Sequence, residues 1–182
     1  VQAAEITHLI TVSCTGMFLP GLDLILAERS GISSDVRRFS LNFLGCAAGL
    51  TAIRLASEII SGNPAAKVLI VCVELCTIHI QPSSERESLF AAAFFGDGAS
   101  ACVVGEAELK RKGIFVLGKH HVAAFPNCAD DMAWTIGNAG FQLYLSPAIP
   151  SLIGKNVPAE IERVMNGEAM PEFWAIHPGG RG

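Results

Sequence analysis

The sequence predicts a layered α/β fold with a largely parallel sheet, and three observations carry that expectation. Strand-sized apolar runs alternate with segments of helical periodicity along the chain. Lys67–Cys76 is a near-continuous apolar run, the pattern of a strand buried on both faces. Of the 182 residues 51% are apolar and only 16% charged, enough apolar surface for a substantial core.

Taken in order, Ile6–Ser13 reads as a buried strand and Leu22–Arg29 as a helix closed by Gly31. Arg37–Leu44 reads as a second strand, with Phe39, Leu41 and Phe43 alternating against Arg38, Ser40 and Asn42. Over Cys46–Ser61, Ala48, Ala52, Leu55 and Ile59 recur on one helical face, and Gly62, Asn63 and Pro64 stop the helix. The strand Lys67–Cys76 follows, then a strand over Ala99–Val104. The charged stretch Glu106–Gly113 reads as a boundary, which predicts one domain over 1–108 and another over 109–182. Beyond it the sequence predicts a strand at Ile114–Leu117, a helix over Asn156–Met165 and a strand at Phe173–Ile176. The chain starts and stops in mid-pattern, so both ends read as cut from a longer protein.

Charge and composition exclude several classes of function. A net charge of −4 with no Lys/Arg cluster leaves nothing to neutralise phosphates, so no nucleic-acid partner is expected. The apolar runs are too short to cross a bilayer, and no secretory signal is visible. Among the six cysteines, Cys14, Cys72, Cys76 and Cys102 lie in or beside apolar runs, where a free cysteine behaves as a small hydrophobe. No small disulfide framework is visible, and a reducing, cytoplasmic setting is expected. Cys72, Cys76 and His79 have a spacing that resembles metal ligands, but a fourth ligand is missing and no metal site is expected.

The most informative residue is Cys46. It follows a strand and a single glycine, Gly45, and it opens a helix rich in small residues. The unpaired N–H groups of a helix N-terminus favour thiolate over thiol. Ala47, Ala48 and Gly49 leave room for a long substrate to approach the sulfur. Against the nucleophile stands a plain alternative, a buried cysteine in a tight strand–helix turn. His177 ends an apolar run and precedes Pro178, Gly179 and Gly180. The carboxyl ends of strands are where an open α/β sheet binds ligands, so Cys46 and His177, one on each side of the boundary, suggest a site built from two halves. A reactive cysteine needs a basic or cationic neighbour, and that neighbour is often distant in sequence. Phe94–Ser100 carries an Asp-Gly turn signal; it reads as a hairpin or as an aromatic wall beside a reacting centre.

Gly45-Cys46-Ala47-Ala48-Gly49, Phe95-Gly96-Asp97-Gly98-Ala99 and His177-Pro178-Gly179-Gly180 occur in the order and approximate spacing of the chalcone/stilbene synthase family, the type III polyketide synthases. Ile6–Ile10 with Cys14-Thr15-Gly16 and Pro20-Gly21, and Glu74-Leu75-Cys76 after the central strand, also resemble it. The resemblance implies a thiolase-like αβαβα fold, of which this chain is the later N-terminal half and the early C-terminal half, assembled as a homodimer. It implies Cys46 as the acyl-carrying nucleophile, His177 as its catalytic partner and Phe95 as an aromatic residue that helps orient malonyl-CoA. It implies acyl-CoA and malonyl-CoA as substrates, with no metal or redox cofactor. The family's catalytic asparagine is expected after Gly182, and most of its CoA-binding basic residues before Val1.

Departures from the plant members concern the starter pocket. Cys14 (beside Thr15), Cys76 and His79 stand where those enzymes usually have threonines, Leu143 where they have a gating phenylalanine, and Trp134 where they have a glycine. Leu19 matches a methionine that crosses the dimer interface. These changes resemble bacterial members and favour an aliphatic starter with an alkylpyrone or alkylresorcinol product. Two alternatives stand beside this reading: a ketoacyl-ACP synthase III-like condensing enzyme, whose histidine motif differs from His-Pro-Gly-Gly, and a catalytically silent homologue.

Overall fold

Four strands in the order β2-β1-β3-β4 form the larger of two sheets in a computed structural model that describes residues 1–106, 114–138 and 140–179. The domain boundary expected at 108 and the Gly180 of the final glycine pair lie outside the described residues. The chain divides into two units, Val1–His79 with Gly96–Leu117, and Ile80–Phe95 with Gly118–Gly182.

In the first unit β1 (His8–Ser13) lies between β2 (Arg37–Asn42) and β3 (Lys67–Glu74), parallel to both. An antiparallel strand, β4 (Gly98–Gly105), completes the edge beside β3. Every residue of β1 is buried because helices cover both faces of the sheet. On one face Ile10, Val12, Val68 and Ile70 pack on Ala48, Ala52 and Ala56 of α2 (Ala48–Gly62). The three alanines bring that helix close to the sheet, and enlarging Ala52 would overpack the contact at a cost of about 1–3 kcal/mol. On the other face Leu9 packs with Ala27 of α1 (Leu22–Ser30), Ile32 and Val36, while Leu69 and Val71 flank them. The alternation along β3 between these two clusters accounts for its near-continuous apolar run. Gly31, left-handed at φ 66°, closes α1 as expected, its N–H bonding back to Ala27 and Glu28.

In the second unit α3 (Arg86–Phe94) packs against β6 (Gly140–Leu145), which pairs antiparallel with β5 (Met132–Gly137). A long helix, α4 (Ile149–Met165), follows. It begins seven residues before the expected Asn156. Pro158 divides the sequence pattern, yet the helix continues through it, and Asn156 Nδ2 bonds the Leu152 carbonyl at 2.8 Å one turn back. His121 meets Glu160 at 2.6 Å and Lys119 pairs with Glu168, tying the segment before the hairpin to α4 and to the turn just beyond it.

Three local expectations are corrected. Ile114–Leu117 and Phe173–Ile176 form no strand; a strand needs a neighbour's hydrogen-bond ladder, and none pairs with either among the described residues. Ile114, Phe115, Val116, Phe173 and Ile176 are mostly exposed accordingly. The Asp-Gly turn is not a hairpin, because α3 rather than a strand precedes β4.

Candidate active site

Three parallel strands end at one edge of the first sheet, since Ser13 pairs with Asn42 and Val12 with Cys72. The residues that follow each strand therefore gather there: Cys14-Thr15 after β1, Phe43–Cys46 after β2 and Leu75-Cys76 after β3. Because β4 runs the other way, with Gly98 opposite Glu74, Asp97 enters at the same edge. Ligands of open α/β sheets bind outside this end of the strands.

Cys46 sits in a single 3-10 turn, Gly45–Ala47, wedged between β2 and α2. Two left-handed residues make that turn sharp, Phe43 at φ 58° and Gly45 at φ 68°. Glycine tolerates this conformation; a phenylalanine held there costs roughly 1–3 kcal/mol, and such strain concentrates at functional sites. The outcome is an exposed cysteine rather than the buried one of the plain alternative.

The groups around Cys46 act against the thiolate that a helix terminus favours. The protein around the Cys46 sulfur pushes its pKa above the ordinary thiol value, and Cys14 and Glu74 push it further. The residue's own backbone N–H opposes them, less than desolvation and Cys14 act but more than Glu74 does. Cys46 lies in the 3-10 turn ahead of α2, so the helix's own first N–H groups belong to later residues. A base or a cation brought to the sulfur would oppose that rise.

Glu74 organises the edge. Its carboxylate accepts the Cys14 N–H at 3.0 and 3.2 Å, the Thr15 N–H at 3.1 Å and the Thr15 hydroxyl. The Thr15 oxygen in turn accepts the Leu75 N–H at 2.7 Å, and His79 Nε2–H donates to the Thr15 carbonyl at 2.6 Å. Charge-assisted bonds of this kind are about twice as strong as neutral ones, so the end of β3 holds the loop after β1 in one conformation. Asp97 holds the neighbouring turn: it accepts the Thr77 hydroxyl at 2.7 Å and the Thr77 N–H at 2.8 Å, which lower its pKa in that order of importance. Neither Glu74 nor Asp97 has a role in the sequence reading. A carboxylate ending an otherwise apolar strand, as in Val71-Cys72-Val73-Glu74, is the signal that marks the first.

The expected site residues fall into two groups. Cys46, Cys14, Thr15, Cys76 and His79 share the sheet edge of the first unit, where Leu19 also lies, 95% exposed on the loop after β1. Phe95, Trp134, Leu143 and His177 belong to the second unit. There Phe95 is half-buried directly after α3. Trp134 and Leu143 stand opposite each other in the β5–β6 ladder, and Trp134 stacks on Phe141 at 5.2 Å with rings 10° from parallel. His177 is exposed in a tight turn whose carbonyl accepts the Gly179 N–H at 3.0 Å. Among the described residues no three His, Cys, Asp or Glu side chains are arranged to hold a metal ion, and no helix is long and apolar enough to cross a membrane.

A mixed α/β sheet sandwiched by helices, with a cysteine on a strained turn at its carboxyl edge, is shared with the thiolase-like proteins on which the chain superposes. The family model for the N-terminal domain of chalcone and stilbene synthases matches residues 2–108, and the chain belongs to that family, the type III polyketide synthases. The chain is 31% identical over 186 aligned positions to the alpha-pyrone synthesis polyketide synthase-like Pks18 of Mycobacterium tuberculosis, covering 98% of this chain and 47% of that protein. It is 29% identical over 173 positions to probable polyketide synthase 1 of Dictyostelium discoideum, covering 94% of this chain and 6% of that much longer one. Among solved structures, PKS-I from the brown alga Ectocarpus siliculosus superposes with a TM-score of 0.92 at 29% identity, over all of this chain and 49% of that one. The 1,3,6,8-tetrahydroxynaphthalene synthase of Streptomyces coelicolor, a bacterial type III polyketide synthase, gives 0.76 at 30% identity, over 91% of this chain and 47% of that one. The chain thus spans at most about half the length of these relatives.

Proposed function

We propose that this chain carries the nucleophile of a type III polyketide synthase, an acyltransferase that extends an acyl-CoA starter with malonyl-CoA. The observation that carries the reading is Cys46, exposed on a left-handed turn at the carboxyl edge of the sheet. In the proposed cycle His177, the partner that the family resemblance assigns, takes the proton that the surroundings of Cys46 otherwise retain. The sulfur attacks the starter carbonyl, an S–C bond forms, and CoA leaves with the proton. Decarboxylation of malonyl-CoA leaves the electron pair of the broken C–C bond as an enolate, which His177 and a second donor stabilise. The enolate carbon attacks the Cys46 thioester, expels the thiolate and lengthens the chain by two carbons. Phe95 is the aromatic residue that helps orient malonyl-CoA, and no metal or redox cofactor takes part. The working enzyme is a cytoplasmic homodimer with Leu19 at the subunit contact.

The test is mass spectrometry of the full protein after incubation with an acyl-CoA. The tryptic peptide Phe39–Arg54 contains Cys46 as its sole cysteine and should carry the acyl group. Acylation of another cysteine with Cys46 unmodified overturns the assignment. Cys46→Ala should abolish polyketide formation and spare part of the malonyl-CoA decarboxylation.

The starter we propose is an aliphatic acyl-CoA, and the product an alkylpyrone or alkylresorcinol. Cys14 and Cys76 replace hydroxyls with weakly polar thiols, and Phe43, Leu44 and Ile78 leave an exposed apolar rim on the same unit. Leu143 offers no flat surface for an aromatic starter. The Thr15 hydroxyl is committed to Glu74 and Leu75, and His79 Nε2 to the Thr15 carbonyl, so these polar groups hold the loop. The relative Pks18 is named for alpha-pyrone synthesis. Replacing one pocket hydrogen bond by a methylene-sized apolar contact shifts discrimination by only about 1–3 kcal/mol, so a competition assay should favour a medium- to long-chain acyl-CoA over 4-coumaroyl-CoA while still turning over both. Higher kcat/KM with the aromatic starter, or products of malonyl units alone, overturns this choice.

A further inference from the structure

Three cysteines leave the same sheet edge, and a single nucleophile accounts for only one. Cys14 is the first residue after β1 and Cys46 closes the turn after β2, and these strands are direct neighbours in register, Ser13 opposite Asn42. Cys76 follows β3, on the far side of β1. All three are free thiols; Cys46 is exposed and Cys14 half-buried. Cys14 is among the groups that raise the Cys46 pKa, and Cys46 in turn is among those that raise that of Cys76, so both thiols lie near the Cys46 sulfur, with Cys14 on the directly neighbouring strand. Cys14 does not drift, because its N–H is bound to both oxygens of Glu74.

From this arrangement we infer that Cys14 is the resolving thiol of a reversible oxidation of Cys46. A hydroperoxide transfers one oxygen to the Cys46 sulfur, giving the sulfenic acid and the corresponding alcohol or water. The Cys14 sulfur then attacks the Cys46 sulfur; the S–O bond breaks, an S–S bond forms, and water carries off the oxygen with the Cys14 proton. The disulfide blocks acylation and shields Cys46 from further oxidation to the sulfinic acid, which thiols do not reverse. Dithiol reductants restore both thiols by exchange through a mixed disulfide. The inference rests on the reading of Cys46 as the nucleophile, and it adds a function for Cys14 besides lining the starter pocket.

The experiment treats the full protein with hydrogen peroxide in the absence of acyl-CoA, maps the products by mass spectrometry, and then adds dithiothreitol. The expected product joins the peptide ending at Arg29, which holds Cys14, to Phe39–Arg54, which holds Cys46. Dithiothreitol should return most of the starting activity. In Cys14→Ser the crosslink is absent, Cys46 accumulates as sulfinic acid, and the recovered fraction, relative to the variant's own starting activity, falls several-fold. Direct passage of wild-type Cys46 to sulfinic acid, a crosslink to Cys76, or full recovery in Cys14→Ser overturns the inference. Because the acyl adduct is measured separately, acylated Cys46 without a crosslink refutes this inference alone. A crosslink without an acyl adduct refutes the proposed function instead.

Discussion

The Glu74 carboxylate lies 3.0 Å from the backbone nitrogen of Cys14, so the last residue of β3 anchors the first residue beyond β1. The pair lies 60 positions apart in sequence and joins the ends of two neighbouring strands at the sheet edge that also carries Cys46. Removing the carboxylate leaves the Cys14 and Thr15 N–H groups and the Thr15 hydroxyl without their acceptor.

Glu74→Ala should therefore lower stability by about 3 kcal/mol or more, and Glu74→Gln by roughly half that, since an amide oxygen accepts without charge. Urea unfolding of the full protein measures both. Losses under about 0.5 kcal/mol in Glu74→Ala would show that the cluster holds nothing. A loop released from Glu74 should also slow acylation of Cys46, with the glutamine variant partly restoring the rate.

Two glycines flanking Cys46 should respond with opposite signs. Gly45 is left-handed and nothing lies within 4 Å of an added Cβ, so Gly45→Ala meets only the conformational penalty of about 1–2 kcal/mol. Gly49 is helical, and its added Cβ would rest 3.6 Å from the Cys72 sulfur, an ordinary contact. Gly49→Ala should be neutral or stabilising by up to about 1 kcal/mol. Equal destabilisation by the two would contradict the strained-turn account.

His177→Ala should slow both acylation and malonyl-CoA decarboxylation by about a hundredfold or more if the imidazole donates to the developing oxyanion. His177→Gln keeps a donor and should retain more decarboxylation than Ala. Iodoacetamide labelling of Cys46 gives an independent readout. With the histidine gone, the raised thiol pKa should leave Cys46 sluggish at neutral pH, and labelling should accelerate only as pH climbs past the ordinary thiol range. Near-normal turnover in His177→Ala would mean that the histidine is structural.

Acid sensitivity should be traceable to Glu5. Its carboxyl is held at about 2, below the usual 4.5, first by the Gln2 N–H at 2.6 Å and then by the Lys67 ammonium. A depressed carboxylate adds stability above its unfolded value and loses it as pH falls from about 4.5 toward 2. The stability gap between the native protein and Glu5→Gln, measured in urea, should close across that window. Both groups are solvent-accessible, so salt should shrink the gap as well. A gap that does not change with pH would discount the ion pair.

Much of the first unit was legible from residue order. Period-two alternation in β2, the unbroken apolar run of β3 and the Gly31 stop of α1 are local signals, and each produced the element it predicts. The β5–β6 hairpin went unread although Trp134-Thr135-Ile136 and Phe141-Gln142-Leu143-Tyr144-Leu145 alternate cleanly, because its Gly137–Gly140 connection is not one of the strong two-residue turn signals. Ile114–Leu117 and Phe173–Ile176 failed for the opposite reason: apolar composition suggests a strand, but only a neighbour's backbone can complete one.

The sequence by itself determined the family, through the joint order of the Cys46, Phe95 and His177 motifs, and it determined which cysteine to suspect. Tertiary structure alone decided that Cys14, Cys46 and Cys76, dispersed over 63 residues (14 to 76 inclusive), leave one sheet edge, and that Glu74 holds that edge together. It also set desolvation against the thiolate that the position of Cys46 ahead of a helix favours. The physical reason is range: turn and helix signals act over a few residues, whereas desolvation and strand-end hydrogen bonds arise from neighbours that the chain meets only after the parallel strands have paired.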